Sequence, residues 1–130
     1  MNISKQPMLE LALSIATEAH RGQFYKAGID YIEHPIFVAS QVDSEEEKAV
    51  ALLHDVIEDS SVTAEELLNA GLPETVVTAV QILSKKKGQD YQTYLKTVKS
   101  NPLARAVKLA DLKHNSDLSR LETITDKDLE

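Results

Sequence analysis

Between Ser44 and Ser60 the chain carries a run that is apolar almost all the way round a helix and then turns abruptly polar. Ala49, Val50, Leu52, Leu53, Val56 and Ile57 leave little solvent face at helical spacing, so a helix here has to be central, with other elements wrapped around it. Ser44-Glu45-Glu46-Glu47 marks its start as a capping box, with Ser44 as cap and Glu47 at the third position. Its far end, Ala51-Leu52-Leu53-His54-Asp55-Val56-Ile57-Glu58-Asp59-Ser60, reads as the last turns of the same helix. There His54 and Glu58 are four apart, as are Asp55 and Asp59, which makes two adjacent ridges. Three carboxylates and an imidazole thus gather at one corner, two of the acids near a helix C-terminus where the macrodipole disfavours negative charge. Something positive is called for, and a divalent metal is the candidate. By themselves, Glu58 and Asp59 read equally as solvated helix-end residues, and His54 as a satisfied core histidine.

The rest of the chain has the punctuation of a helical protein. At 130 residues, with 42% hydrophobic and 27% charged residues, it is expected to form a single domain over 1–130. Only four glycines and four prolines interrupt it, and the expected architecture is all-α, a compact bundle of about six to eight helices. Met8, Leu11, Ala12, Ile15, Ala16 and Ala19 form one apolar stripe, closed by His20 as a capping or packing residue. A loop follows from Arg21 to Glu33, in which Arg21, Tyr25 and Lys26 could line a pocket. His34-Pro35 opens a second helix, with Ile36, Phe37, Val38 and Ala39 as its apolar face. Thr63-Ala64-Glu65-Glu66 is a second capping box, and Gly71 closes its short helix. Pro73 starts the next helix, with Val76, Val77, Val80 and Leu83 inward. Lys85-Lys86-Lys87 reads as a basic C-terminal cap rather than an anion site. Asp90 to Lys99 should turn Tyr91, Tyr94, Leu95 and Val98 inward. Asn101-Pro102 opens a last helix whose buried stripe includes or borders Asp111 and His114. The tail repeats apolar residues at Leu118, Leu121 and Ile124.

Several classes are disfavoured. No cysteine is present, which excludes disulfides and thiolate metal sites and suits a cytoplasmic protein. No apolar run approaches the ~20 residues of a membrane span, and the N-terminus lacks signal-peptide features. A net charge of −7 argues against nucleic-acid binding. It also means that an anionic substrate would need cations, from a metal or from clustered lysines. A homo-oligomer is compatible with the sequence.

Three helices therefore offer His34, the pair His54-Asp55, and Asp111. Two imidazoles and two carboxylates suit Mn²⁺, Fe²⁺, Co²⁺, Ni²⁺ or Zn²⁺ better than Ca²⁺ or Mg²⁺. Four protein ligands leave room for water only if the metal takes five or six; a structural Zn²⁺ would stay closed, whereas Mn²⁺ does so readily. Such an ion acts as a Lewis acid on a phosphoryl oxygen. Glu58 and Asp59 could then orient or deprotonate the attacking water.

The order His…His-Asp…Asp on a helical chain resembles the HD superfamily of metal-dependent phosphohydrolases. Tyr31-Ile32-Glu33-His34-Pro35, Leu52-Leu53-His54-Asp55-Val56-Ile57-Glu58-Asp59, and Val107-Lys108-Leu109-Ala110-Asp111 with His114-Asn115 resemble more closely the hydrolase domain of RelA/SpoT homologues. Gly22-Gln23 and Lys26-Ala27-Gly28 fit the same pattern, and the likeness runs from about residue 8 to residue 121. The resemblance implies Mn²⁺-dependent removal of the 3′-pyrophosphate from guanosine alarmones such as ppGpp. It makes His34, His54, Asp55 and Asp111 the metal ligands, Glu58 and Asp59 the catalytic pair, and Asn115 a nucleotide contact. Lys26 and Lys113 would offset substrate charge. Two positions depart from the family: Tyr25 stands where an arginine usually stacks on the purine, and Leu112 stands where an arginine usually follows the metal aspartate. They keep a second reading open, a phosphohydrolase of another nucleotide or phosphorylated metabolite. A third is a non-catalytic metal or nucleotide sensor.

Overall fold

A computed structural model describes residues 5–24 and 28–114. The order is α1 (Lys5–Ala19), α2 (Glu33–Ser40), α3 (Glu45–Leu53), α4 (Val56–Asp59), α5 (Ala64–Ala70), α6 (Glu74–Leu83) and α7 (Tyr91–Ser100), then α8 over 102–114. The described residues form no named strand; Phe24 and Asp30 make one isolated antiparallel bridge.

The central position of α3 follows from its composition. Ala49 to Leu53 are all buried, so every side of the helix needs a neighbour, and it packs on α1, α2 and α6. Both capping boxes form: Ser44 with Glu47, and Thr63 with Glu66, each satisfying backbone N–H groups that the helix leaves unpaired. Gly71 closes α5 in the left-handed region (φ 110°), its N–H donating to Leu67 and Leu68 carbonyls. Val76, Val77, Val80 and Leu83 are buried along α6, and Ala104 and Val107 along α8.

Three expectations are corrected. The helix beginning at Glu45 does not run unbroken to Asp59; it stops at Leu53 and restarts at Val56. His54 causes the break through its own side chain. Its Nδ1 sits 2.6 Å from the Ala51 carbonyl oxygen, the acceptor that an unbroken helix would offer to the Asp55 N–H. The apolar face of α2 is partly outward, with Ile36 and Phe37 exposed. Tyr91 is also exposed, because α7 begins at the rim of a cavity rather than against the core.

Candidate metal centre and active site

The break between α3 and α4 is what gives the site its shape. With two residues outside either helix, His54 is nine-tenths and more buried and Asp55 sits beside it at the turn. His34, in the first turn of α2, and Asp111, on α8, arrive from positions far away in sequence and are buried too. His34 Nε2 lies 2.8 Å from Asp111 Oδ1, and His54 Nε2 lies 3.4 Å from the same oxygen and 3.2 Å from Asp55 Oδ2. One ligand atom each from His34, His54 and Asp111 falls within 4.8 Å of the others, a spacing that could hold a metal ion.

The chemistry of His54 fits that use. Its Nδ1 is spent as a donor to Ala51, which leaves Nε2 to present a lone pair. Nε2 is buried and makes no hydrogen bond despite two carboxylate oxygens within 3.4 Å, because neither is aligned for one. An orphaned buried nitrogen among carboxylates is costly in a protein without a cation there. In the metal-free cluster the charges compensate in another way. Burial pulls the His54 pKa down, but the Asp55 and Asp111 carboxylates outweigh it and hold it at about 10. Burial pushes Asp55 up, and His54 together with the Tyr31 hydroxyl overrides this and holds it at about 2. Asp111 is likewise opposed by burial, yet held well below the usual range by its hydrogen bond to His34 and the nearby charge of His54. A cation entering the cluster would displace the His54 proton.

Neighbouring groups orient these side chains. Tyr31 donates its hydroxyl to Asp55 Oδ2 at 2.5 Å, and burial and Asp55 both push its pKa far up, so it stays a donor. His34 Nδ1 meets His114 Nδ1 at 2.8 Å, with the two rings nearly coplanar (9°), and His114 stacks on Phe37 at 4.1 Å. Lys108 Nζ stands 3.6 Å from Asp111 Oδ2.

Glu58 and Asp59 are adjacent on α4, exposed, and face different neighbours. Glu58 Oε1 accepts the Lys85 backbone N–H at 3.4 Å and lines a cavity of about 210 Å³ with His54, Asp55 and Asp111. Asp59 looks towards Tyr31 and His20, and its carbonyl accepts from Gln23 Nε2 at 3.0 Å. Burial raises both carboxyl pKa values, with Asp55 adding to the rise, which favours a group that can take up a proton.

Of the residues singled out in the sequence, His34, His54, Asp55 and Asp111 come together, and Glu58 borders the same cavity. Lys113 is exposed, one residue before His114. Tyr25, Lys26 and Asn115 lie outside the described residues. Tyr31, Gln23, His114, Lys85 and Lys108 were not assigned to the site from sequence. Only the three-residue step from Lys108 to Asp111 on one helix is a local signal that could have found one of them.

The helical scaffold and its His, His-Asp and Asp set define the class: an HD-type hydrolase domain. No protein-family model matches the chain. Among curated proteins it is 35% identical over 134 aligned positions to a guanosine-3′,5′-bis(diphosphate) 3′-pyrophosphohydrolase, MESH1, of Danio rerio, covering 92% of this chain and 74% of the relative. It is 39% identical over 116 residues to the guanosine-3′,5′-bis(diphosphate) 3′-pyrophosphohydrolase of Haemophilus influenzae, covering 78% of this chain. It is 34% identical over 123 residues to the bifunctional (p)ppGpp synthase/hydrolase SpoT of Escherichia coli, covering 82% of this chain. The chain spans only 17% of the length of each of these two bacterial relatives. A solved structure described as a metazoan ortholog of SpoT that hydrolyzes ppGpp shares the fold, with TM-score 0.70 and 24% identity over 85% of this chain and 68% of that one. The chain belongs to the family of guanosine-3′,5′-bis(diphosphate) 3′-pyrophosphohydrolases.

Proposed function

We propose that this chain is a metal-dependent phosphohydrolase that removes the 3′-pyrophosphate from guanosine 3′,5′-bis(diphosphate)-like alarmones, with Mn²⁺ as the metal. The observation that carries the reading is the convergence of His34, His54 and Asp111 within 4.8 Å, with Asp55 beside them and Glu58 at the rim. The family's relatives carry that activity in their names.

In this reading His34, His54, Asp55 and Asp111 hold the ion. When bound, a divalent metal supplies Lewis acidity towards a phosphoryl oxygen and lowers the pKa of water. Tyr31 keeps Asp55 oriented through its hydroxyl. Glu58, with its raised pKa, accepts the proton of the attacking water, and Asp59 positions that water from the other side. Tyr25, Lys26, Lys113 and Asn115 contact the nucleotide.

Product analysis with Mn²⁺-loaded protein and ppGpp, beside GTP, GDP and NADPH, tests the reading. Release of GDP and pyrophosphate, abolished by chelation, is expected. Orthophosphate from another compound with ppGpp untouched would replace the substrate but keep the class. The exposed Leu112, standing where the family usually has arginine, is the feature that favours that outcome.

A further inference from the structure

The basic residues at the candidate metal cavity are Lys108, which the sequence did not point to, and Lys85, which it read as part of a basic helix cap rather than an anion site. Lys108 is mostly buried, its side chain 18% exposed, on the α8 turn before Asp111. Its Nζ is 3.6 Å from Asp111 Oδ2 and 5.3 Å from the centre of the Tyr94 ring. That ring is fixed as a wall by the Tyr94 hydroxyl, which donates to the Leu83 carbonyl at 2.7 Å. Asp111 therefore turns one oxygen to the two histidines and the other to the lysine. Lys108 and His54 thus line one cavity on either side of the Asp111 carboxylate.

Lys85 also lines the cavity. Its backbone N–H is tied to Glu58, and the turn that carries it is fastened by the Lys86 and Gln89 N–H groups, each making a 3.0 Å bond across the turn. At about 210 Å³ the cavity is smaller than the roughly 300–1,000 Å³ of sites that enclose drug-sized ligands. It suits a small, highly charged group and not a whole nucleotide. Three carboxylates also line it, so a polyanion entering here needs both the metal and the lysines to offset repulsion.

We propose that Lys108 and Lys85 clamp the pyrophosphate group that is cut from the nucleotide, and so select a 3′-diphosphate over a 3′-monophosphate. The inference rests on the reading of the chain as a 3′-pyrophosphohydrolase. In the step it serves, the water oxygen bonds to the phosphorus attached to the ribose 3′ oxygen, and the bond between that phosphorus and the 3′ oxygen breaks. The 3′ oxygen keeps the electron pair and takes a proton, and the added oxygen leaves with the pyrophosphate. The distal phosphate, which never bonds to the attacking water, is the part the lysines hold.

The test is calorimetric titration of Mn²⁺-loaded protein with inorganic pyrophosphate, for the unaltered chain, Lys108→Met, Lys108→Arg and Lys85→Met. Each methionine variant should weaken pyrophosphate about tenfold or more, and Lys108→Arg should restore most of the loss. Mn²⁺ affinity, titrated separately, should change by less than about threefold in Lys85→Met and Lys108→Arg. Where ppGpp is turned over, the ratio of kcat/KM for the 3′-diphosphate over the 3′-monophosphate should fall by a similar factor. Unchanged pyrophosphate binding in both folded, metal-loaded methionine variants overturns the clamp. So does a loss in Lys108→Met that arginine does not recover at all. Failure of the chain to hydrolyse ppGpp would overturn the substrate reading alone, because the pyrophosphate titration needs no turnover. Circular dichroism of each variant separates misfolding from lost binding, and Lys85, on a surface turn, can be replaced without disturbing the core.

Discussion

Two histidines in this protein share burial and hydrogen-bonding pattern, yet only one belongs to the candidate metal centre. His20 and His54 are 2% and 3% exposed. Each spends Nδ1 on a neighbour three residues away: His20 on Gln23 Oε1 at 2.9 Å, and His54 on the Ala51 carbonyl at 2.6 Å. Each leaves Nε2 buried without a hydrogen bond. The difference lies in what comes from elsewhere in the chain. His54 is met by His34 and Asp111 from other helices, whereas His20 packs its ring on Tyr31 at 4.6 Å and belongs to no potential metal group among the described residues. An orphaned imidazole nitrogen is thus not by itself a sufficient sign of a ligand; convergence of further donor groups decides. The His20 corner serves the other acid, since Gln23 bridges His20, the Ala19 carbonyl and the Asp59 carbonyl.

The largest effects should fall on the convergent side. His54→Ala or Asp111→Ala is expected to abolish Mn²⁺ binding by calorimetry and to cut turnover by about a thousandfold or more, while His20→Ala keeps the metal. Equal loss of metal in His20→Ala would erase the distinction. Next comes the partner that orients His34. His114→Phe keeps the stack on Phe37 but removes the acceptor facing His34 Nδ1, and metal affinity should drop ~10–100-fold, with His114→Gln in between. An undiminished affinity in His114→Phe would show that the contact is packing only. Gln23→Ala should leave metal affinity alone and lower kcat about threefold to tenfold, through a loosened Asp59. Should KM and metal affinity move instead, the two corners are coupled.

A smaller effect follows from charge in the metal-free protein. The folded-state pKa of His54 is raised above its usual 6.5 to about 10, so its stabilising contribution is complete below 6.5 and lost as pH rises through 10. Asp55 is depressed from 3.8 to about 2, so its share is present above 3.8 and lost as pH falls through 2. Between pH 6.5 and 9.5 the metal-free Tm should fall by on the order of 5 °C, and His54→Gln should remove most of that slope. A slope that survives in His54→Gln would place the titrating group elsewhere.

Much of this was written along the chain and some of it could not be. The two capping boxes, the all-round apolar character of Ala49 to Leu53, and the Gly71 stop are local codes, and the structure uses them as read. The order His34, His54-Asp55, Asp111 pointed to residues that do come together: His34 before a helix-opening proline, His54-Asp55 at the end of the apolar helix, and Asp111 on or beside a buried stripe. The break at His54 was hidden because a side chain taking its own helix's carbonyl leaves no mark in hydrophobic periodicity. Tyr31 and His114 escaped for a different reason. Tyr31 and Asp55 are 24 positions apart and His34 and His114 are 80 apart, and contacts of that kind depend on how helices dock. Tyr91 shows the reverse error: an apolar-looking helical position that faces a cavity rim.

The 77-residue separation of His34 from Asp111 also sets the order in which the molecule comes into being. Closing so long a stretch costs little more at equilibrium than closing a short one, but it delays the contact until the segments carrying α2 and α8 have docked. A cation gripped by these two residues holds together an arrangement that forms late, beyond the folding barrier. It should therefore lengthen the life of the native state, slowing unfolding in stopped-flow traces while leaving the refolding rate unchanged. For such a chain the ion is a brake on coming apart rather than a template for assembly.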